Sequence, residues 1–304
     1  MFIRTFVNIV FRLWFKPLWR DVPTVSKVRG KYLLSDRLAS LGRKPESVQY
    51  EDIGGFCVEW IGLKESASKG IIVYLHGGGF SVRAKFTDRR FCREISSQSG
   101  LPIVLVPYRL APEHPYPNGL DDCCQVYEAL INSGVPPGRI IIIGHSAGAN
   151  YALVLLMRAR ERGVAQPAGV ILLSAPIDMT ARSPSVALNS TRDVMLGPNI
   201  WPWVEQTYLG DTPPYHPEVS PIFGDWSRLA PLYFHVSDSE VILDDSRRAV
   251  EKARESGVQA QISIWHDVPH NFYYLSFLSE CKRFREQMLD SIRITLESQQ
   301  MQAT

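Results

Sequence analysis

The chain has 304 residues, enough for one large domain or two small ones with a substantial buried core. Its 33 basic and 31 acidic side chains leave a formal net charge of +2, too little to gather nucleic acid or an acidic polymer, so the expected partner is small. The five cysteines (Cys57, Cys92, Cys123, Cys124 and Cys281) are scattered and show no CxxC or Cys/His metal spacing. This is the pattern of thiols in a reducing compartment, with Cys123 and Cys124 expected as small, at least half-buried residues of a helix.

The N-terminus reads MFIRTFVNIVFRLWFKPLWR. Arg4, Arg12 and Lys16 interrupt its apolar run and no small-residue cleavage site follows, which argues against a signal peptide and against a spanning helix. Arg4, Asn8, Arg12 and Lys16 recur every four residues, so they form one stripe of an amphipathic helix whose remaining surface is apolar. The expectation is that this broad apolar face packs on the rest of the protein. The alternative is an in-plane anchor at a membrane surface through residues 1–20.

VQYEDI and FCVEWIGL flank Gly54-Gly55 and predict an antiparallel hairpin at a sheet edge. Short branched runs then alternate with helical patterns. Strands are predicted at 70–76, 101–108, 138–145, 169–175 and 231–237, and helices at about 86–99, 119–133, 147–163 and 240–256. Strands buried on both faces and separated by helices imply an α/β class with a mostly parallel sheet covered on both sides. From Met179 to about Trp226 the alternation breaks in a stretch rich in Pro, Trp, Ser and Asn, including Trp201, Pro202 and Trp203. It reads as an insertion, residues 179–226, between core segments 46–178 and 227–304. With residues 1–45 it is expected to build a cap over the C-terminal strand ends, where open α/β sheets place ligands.

IIIIGHSAGAN places Gly144-His145-Ser146-Ala147-Gly148 between a predicted strand and a predicted helix. A serine in so sharp a turn is exposed for attack, and the helix that follows aims its positive end at the reacting oxygen. His76-Gly77-Gly78-Gly79 also follows a strand. Its glycines suit an oxyanion hole, and neither the lysine of a phosphate loop nor a G-x-G-x-x-G spacing is present.

A serine nucleophile needs a base. Of seven histidines, His270 in DVPHNF lies in the loop after the last strand pattern, QISIWH. His266 sits inside that pattern and reads as structural. His145 neighbours Ser146, but adjacent side chains in an extended turn point apart. The segment VSDSEVILDD offers an acid to orient the base. Asp244 and Asp245 lie a turn into the following helix and favour its N-terminus. Asp238 and Glu240 remain, each with a capping role available, since Ser237 and Glu240 spell a capping box and Asp238 suits an N-cap.

HGGGF, YRLAPEHPYP, GHSAG and PHNF occur in an order and spacing that resemble the hormone-sensitive-lipase-like (bacterial type IV) carboxylesterases of the α/β-hydrolase superfamily, over about residues 48–298. The resemblance implies an α/β-hydrolase fold with a helical cap, Ser146 as nucleophile and His270 as base. It also implies an oxyanion hole of the Gly78, Gly79 and Ala147 N–H groups, with His76 and Glu113 supporting its loop. Family members commonly read DPLRDE where this chain has EVILDD, which makes Glu240 the partner of the histidine. Two departures are His145, where the family usually has Asp or Thr, and Ala149, where it has Gly. An imidazole beside the nucleophile is expected to perturb the pH profile.

The implied activity is hydrolysis of short- to medium-chain acyl esters without metal or organic cofactor, with lactone opening or natural-product deacetylation as the alternative on the same groups. A ligand-binding module is the rival from another class, and a membrane-attached lipase is a third reading. The expected partner is a small-molecule ester, not nucleic acid. The expected location is cytoplasmic, with membrane association in the anchor reading of residues 1–20. A homodimer is compatible with the chain.

Overall fold

The computed structural model describes residues 2–44 and 47–302. The expected boundary at 45/46 lies outside the described residues. Eight strands form one sheet: β1 (Gln49–Ile53), β2 (Phe56–Ile61), β3 (Ile71–Leu75), β4 (Ile103–Val106), β5 (Ile140–His145), β6 (Gly169–Leu173), β7 (Leu232–Ser237) and β8 (Ala260–Trp265). Their order is β1-β2-β4-β3-β5-β6-β7-β8. The strands β3 to β8 run parallel, and β2 is antiparallel to both of its neighbours. This is the α/β-hydrolase architecture.

Nine α-helices accompany the sheet: α1 (Phe2–Trp14), α2 (Val25–Ser40), α3 (Lys85–Ser99), α4 (Asn118–Asn132), α5 (Ala147–Glu161), α6 (Pro184–Leu188), α7 (Ile200–Val204), α8 (Leu243–Glu255) and α9 (Ser279–Gln302) among the described residues. Period-two burial explains the layers. Val73, Leu75, Ile140 and Ile142 face the core shared with α4, α5 and α8. Ile72, Tyr74, Ile141 and Ile143 face the opposite core, shared with α3 and α9. Such strands must be covered on both faces, and the helices do so. Cys123 and Cys124 are buried on α4.

The chain crosses from β3 to β4 on one side and then to β5 on the other, which makes the gap between β3 and β5 a topological switch point. Leu75 pairs with Gly144 there, so the two glycine-containing loops leave adjacent strand ends side by side.

Helix α1 is amphipathic, but its orientation corrects the expectation from sequence. The polar stripe faces the protein: Arg4 meets Glu280 at 2.9 Å, Asn8 donates to the Asp267 carbonyl at 2.9 Å, and Arg12 donates to the Thr191 carbonyl at 2.6 Å. Lys16 donates to the Ser190 and Leu196 carbonyls, each at 2.5 Å. A narrow apolar line through Val7 and Phe15 packs beside this stripe, and most of the broad apolar face points outward. Carbonyls at the ends of loops need donors, and the long cationic side chains satisfy them. Further along, Phe15 packs with Leu196, Trp201 and Ile242, and Trp19 meets Trp203 edge to face. The N-terminal segment and the segment between β6 and β7 are therefore packed together. No helix among the described residues is long and apolar enough to cross a membrane.

One strand in from the sheet edge, Glu59 of β2 is buried and accepts from Arg83 at 2.6 Å and from Arg89 at 2.9 and 2.7 Å. Burial alone would raise its carboxyl, but the hydrogen bonds from Arg89 and Arg83 outweigh that and bring it to about 2 from an ordinary 4.5. A depressed carboxyl stabilises the fold above its unfolded value, and this contribution is lost as pH falls from 4.5 through 2. Glu59→Gln leaves the buried Arg83 guanidinium without its hydrogen-bonded counter-charge, with only Asp88 at 4.0 Å, and is expected to lower the urea-unfolding free energy at pH 7 by about 3 kcal/mol. The gap from wild type should narrow below pH 4.5.

Candidate active site

Ser146 stands between β5 and α5 with φ 51° and ψ −117°, a backbone conformation that non-glycine residues rarely adopt. The turn closes only because its flanks are bare. A Cβ on Gly144 would press on the backbone of Gly148 and Ala149, and one on Gly148 would overlap the carbonyl oxygens of Leu75 and His76. The elbow is thus seated directly on the end of β3.

The structure brings Ser146, His270 and Glu240 into one line. His270 Nε2 lies 3.0 Å from Ser146 Oγ, and His270 Nδ1 lies 2.6 Å from Glu240 Oε2. His270 and Glu240 are buried. The other oxygen of Glu240 accepts from Ser174 Oγ at 2.9 Å and from the Ser237 N–H at 2.7 Å. Both carboxylate oxygens are therefore engaged, as a buried carboxylate requires. The Ser237–Glu240 capping box is realised only in this half, because Ser237 Oγ turns to the Ser239 and Val268 N–H groups.

The other carboxylates of VSDSEVILDD go elsewhere. Asp238 pairs with His266 Nδ1 at 2.7 Å and accepts from the Asp267 N–H at 2.8 Å. His266 lies just past β8 with its ring exposed, not inside the strand. Asp244 bonds the Ser185 N–H at 2.8 Å and Arg247 at 3.0 Å. Asp245 is buried, and accepts from the Ile177 N–H at 2.9 Å and from Ser183 Oγ. It ties the chain after β6 to α8, a task beyond favouring a helix terminus.

Gly78 and Gly79 take φ 118° and 57°, and a Cβ on Gly78 would overlap the Val82 carbonyl. They line a cavity of about 50 Å³ together with Ser146 and His270. Ala147 is the first residue of α5, where an N–H has no intrahelical acceptor. His76 is buried and stacks on Tyr108 at 4.0 Å, and the Tyr108 hydroxyl donates to the His76 carbonyl at 2.6 Å. Burial pushes the His76 imidazole down to about 3, so it is neutral across the working range. Glu113 is half exposed and reaches the glycine loop only through Arg29. Arg29 Nη1 donates to Glu113 at 2.6 Å, while its Nε and Nη2 donate to the Ser81 and Ala111 carbonyls at 2.8 and 2.9 Å.

Several contributors carry no motif. Ser174 directly follows β6 and donates to Glu240, a position that in the sequence reads only as part of a buried strand run. Asn189 donates to the Asp238 and Glu240 carbonyls at 3.0 and 2.7 Å, and Asp193 accepts from the Val241 N–H at 3.0 Å. Both come from the segment between β6 and β7 and hold the Glu240 turn. Asp88 lines the cavity, where burial raises its carboxyl to about 7 against the lowering effect of Arg83. The Tyr274 hydroxyl bridges Asp88 Oδ1 at 3.0 Å and His145 Nδ1 at 2.9 Å. Trp19, Val28 and Tyr32 from the N-terminal segment and Leu196, Ile200 and Trp203 from the later one complete the cavity wall.

The family model of the alpha/beta hydrolase fold matches residues 72–274, two thirds of the chain. An esterase of Acinetobacter venetianus is 35% identical over 240 residues, which cover 78% of this chain and 79% of that protein. A solved esterase of the bacterial hormone-sensitive lipase family superposes with a TM-score of 0.86 at 29% identity, over 95% of this chain and 97% of that one. The chain belongs to the hormone-sensitive-lipase-like α/β-hydrolases. It is a carboxylic ester hydrolase. An acetyl-hydrolase of Streptomyces hygroscopicus is also similar, with 28% identity over 239 residues and 79% of each chain covered.

For this hydrolase the expected effect of His145 on the pH profile has to be revised. Its ring is fully enclosed, and burial, with the neighbouring His270 and His76, pushes its imidazole well below the ordinary value. A group that stays neutral throughout the working range cannot set the acid limb. His145→Asn is therefore expected to leave the acid-limb midpoint of kcat/KM unchanged, measured from pH 5 to 9. A shift of the midpoint would show that His145 titrates in that range.

Proposed function

We propose that the protein is a serine carboxylesterase in which Ser146, His270 and Glu240 form the catalytic triad. The observation that carries this reading is the unbroken contact line from Ser146 Oγ through His270 to Glu240, at 3.0 and 2.6 Å. His270 Nε2 takes the hydroxyl proton as Ser146 Oγ bonds to the ester carbonyl carbon. Glu240 holds the ring orientation and stabilises the imidazolium that forms. Negative charge develops on the former carbonyl oxygen, where the N–H groups of Gly78, Gly79 and Ala147 form the oxyanion hole, each worth about 3 to 4 kcal/mol. Collapse of the intermediate breaks the bond to the alcohol, which leaves with the proton from His270. Water, deprotonated by His270, then attacks the acyl carbon and displaces Ser146 Oγ, which takes that proton back from His270 as the acid is released.

His76, stacked on Tyr108, supports the glycine loop directly, and Glu113 supports it through Arg29. Residues 1–45 and 179–226 act together as a cap over this site, since each contributes three side chains to the wall of the cavity. The substrates are small-molecule esters with short to medium acyl chains. A pocket of about 40 Å³ beside Ser146, closed by Met179, Trp201, Val204 and Ile242, supports a small acyl group. The similarity to an acetyl-hydrolase supports the same limit and also favours deacetylation of a natural product as a second reading.

Ser146→Ala is expected to lower kcat on p-nitrophenyl butyrate by about 10⁴-fold or more and to abolish fluorophosphonate labelling. Glu240→Gln should cost about 10² to 10⁴-fold, while Asp238→Asn stays within about twofold of wild type. The reverse order of the two acid variants would transfer the role to Asp238. Across a panel of acyl lengths, activity should fall beyond medium chains. Activity rising steadily to long-chain triglyceride emulsions would refute the acyl limit.

A further inference from the structure

Helix α1 is held by its polar stripe and turns an apolar face to the outside. Phe2, Phe6 and Leu13 are 87, 67 and 74% exposed, and Ile3 and Ile9 beside them are exposed as well. Leu34 and Leu38 of α2 are also exposed, and Leu38 faces Val10 and Trp14 of α1 across a groove. Single exposed apolar side chains need no explanation, but a continuous row of large ones marks an interaction surface.

Charge identifies what that surface meets. Residues 1–44 contain ten Arg and Lys against two Asp, while the remaining 260 residues contain 23 basic and 29 acidic side chains. The near-neutral total therefore hides a strongly basic N-terminal segment. Lys27, Arg37, Arg43 and Lys44 of that segment are exposed. An apolar helix face accompanied by cations complements the interface of an anionic bilayer, whose acyl boundary receives the apolar side chains while its headgroups receive the cations.

A groove of about 390 Å³ opens at the same face, walled in part by Val10, Trp14 and Leu38. Tyr32, Asn271 and Tyr274 line both this groove and the cavity over Ser146. A groove that shares a wall with the cavity over the serine, with apolar side chains beside Asp36, Arg90 and Glu94, suits an amphiphilic molecule held in a lipid phase. A docked protein would cover its mouth.

We propose that the outward face of α1, with the facing turns of α2, seats on an anionic lipid surface. The groove then takes the apolar alcohol portion of an amphiphilic ester, with the short acyl group delivered to Ser146. This second step rests on the esterase reading of the site, and the seating does not.

The test uses the full chain carrying Ser146→Ala, with and without the pair Phe6→Asp and Leu13→Asp, in co-sedimentation with vesicles. Vesicles of phosphatidylglycerol mixed with phosphatidylcholine should bind the single variant at least about tenfold more tightly than phosphatidylcholine alone, and the added pair should remove at least about tenfold of that binding. In the otherwise wild-type enzyme the same pair should leave hydrolysis of soluble p-nitrophenyl butyrate within about twofold, which also reports correct folding. It should slow hydrolysis of a vesicle-borne long-chain alkyl acetate at least about fivefold. Equal sedimentation with both vesicle types, or binding indifferent to the pair, would overturn the proposal. So would a concentration-dependent dimer in sedimentation velocity that the pair abolishes, because the face would then belong to a second copy. Sedimentation is read on the Ser146→Ala protein, so its outcome is independent of how the nucleophile is assigned.

Discussion

The buried carboxylate of Glu240 is the constraint on which the rest of the site depends. A carboxylate removed from water is tolerated only when its lone pairs are occupied, and here His270, Ser174 and the Ser237 N–H occupy them. Each partner comes from a different part of the chain: the loop after β8, the end of β6 and the end of β7. The turn carrying Glu240 is gripped in addition by Asn189 and Asp193. The charge thus couples three strand ends to the segment that covers them, and the orientation of the imidazole is a property of the assembled fold and not of a local loop.

The serine depends on a complementary constraint, the absence of side chains. Gly144 and Gly148 let the elbow close against the end of β3, and Gly78 can turn only where no Cβ meets the Val82 carbonyl. Because Leu75 pairs with Gly144, the glycine loop and the elbow are set side by side by sheet register. The strained backbone at Ser146 persists because β3, β5 and α5 together over-determine it. The fold therefore supplies geometry at both ends of the contact line, compact backbone at the serine and occupied lone pairs at the acid.

Much of this was legible in the sequence. The five interior strands announced themselves because burial on both faces demands short branched runs, and the two glycine motifs because few other structures need that composition. The choice between Asp238 and Glu240 was not legible from the residues alone. Capping a turn and orienting a histidine use the same carboxylate chemistry, and only the three-dimensional arrangement sends Asp238 to His266 and Glu240 to His270. Ser174, Asn189 and Asp193 were invisible for a related reason. Each reaches the Glu240 turn through hydrogen bonds over a long sequence separation, and a lone Ser, Asn or Asp carries no periodicity. The short helices α6 and α7 lie in Pro- and Trp-rich sequence where local propensity is weak and packing decides.

The orientation of α1 shows where pattern reading stops. A period of four residues reveals that a helix has two faces, but the assumption that the apolar face turns inward holds only if the surface beneath it is apolar too. Beneath α1 lie loop carbonyls of Ser190, Thr191, Leu196 and Asp267 together with the Glu280 carboxylate, and these require donors. Arg4, Asn8, Arg12 and Lys16 meet that requirement, so the polar stripe is the adhesive one. Three of those four carbonyls belong to the segment that also supplies Asn189 and Asp193 to the Glu240 turn. The helix that presents the apolar face is consequently bonded to the same segment that holds the Glu240 turn, and the outer surface and the Ser146–His270–Glu240 contact line are parts of one connected hydrogen-bond framework.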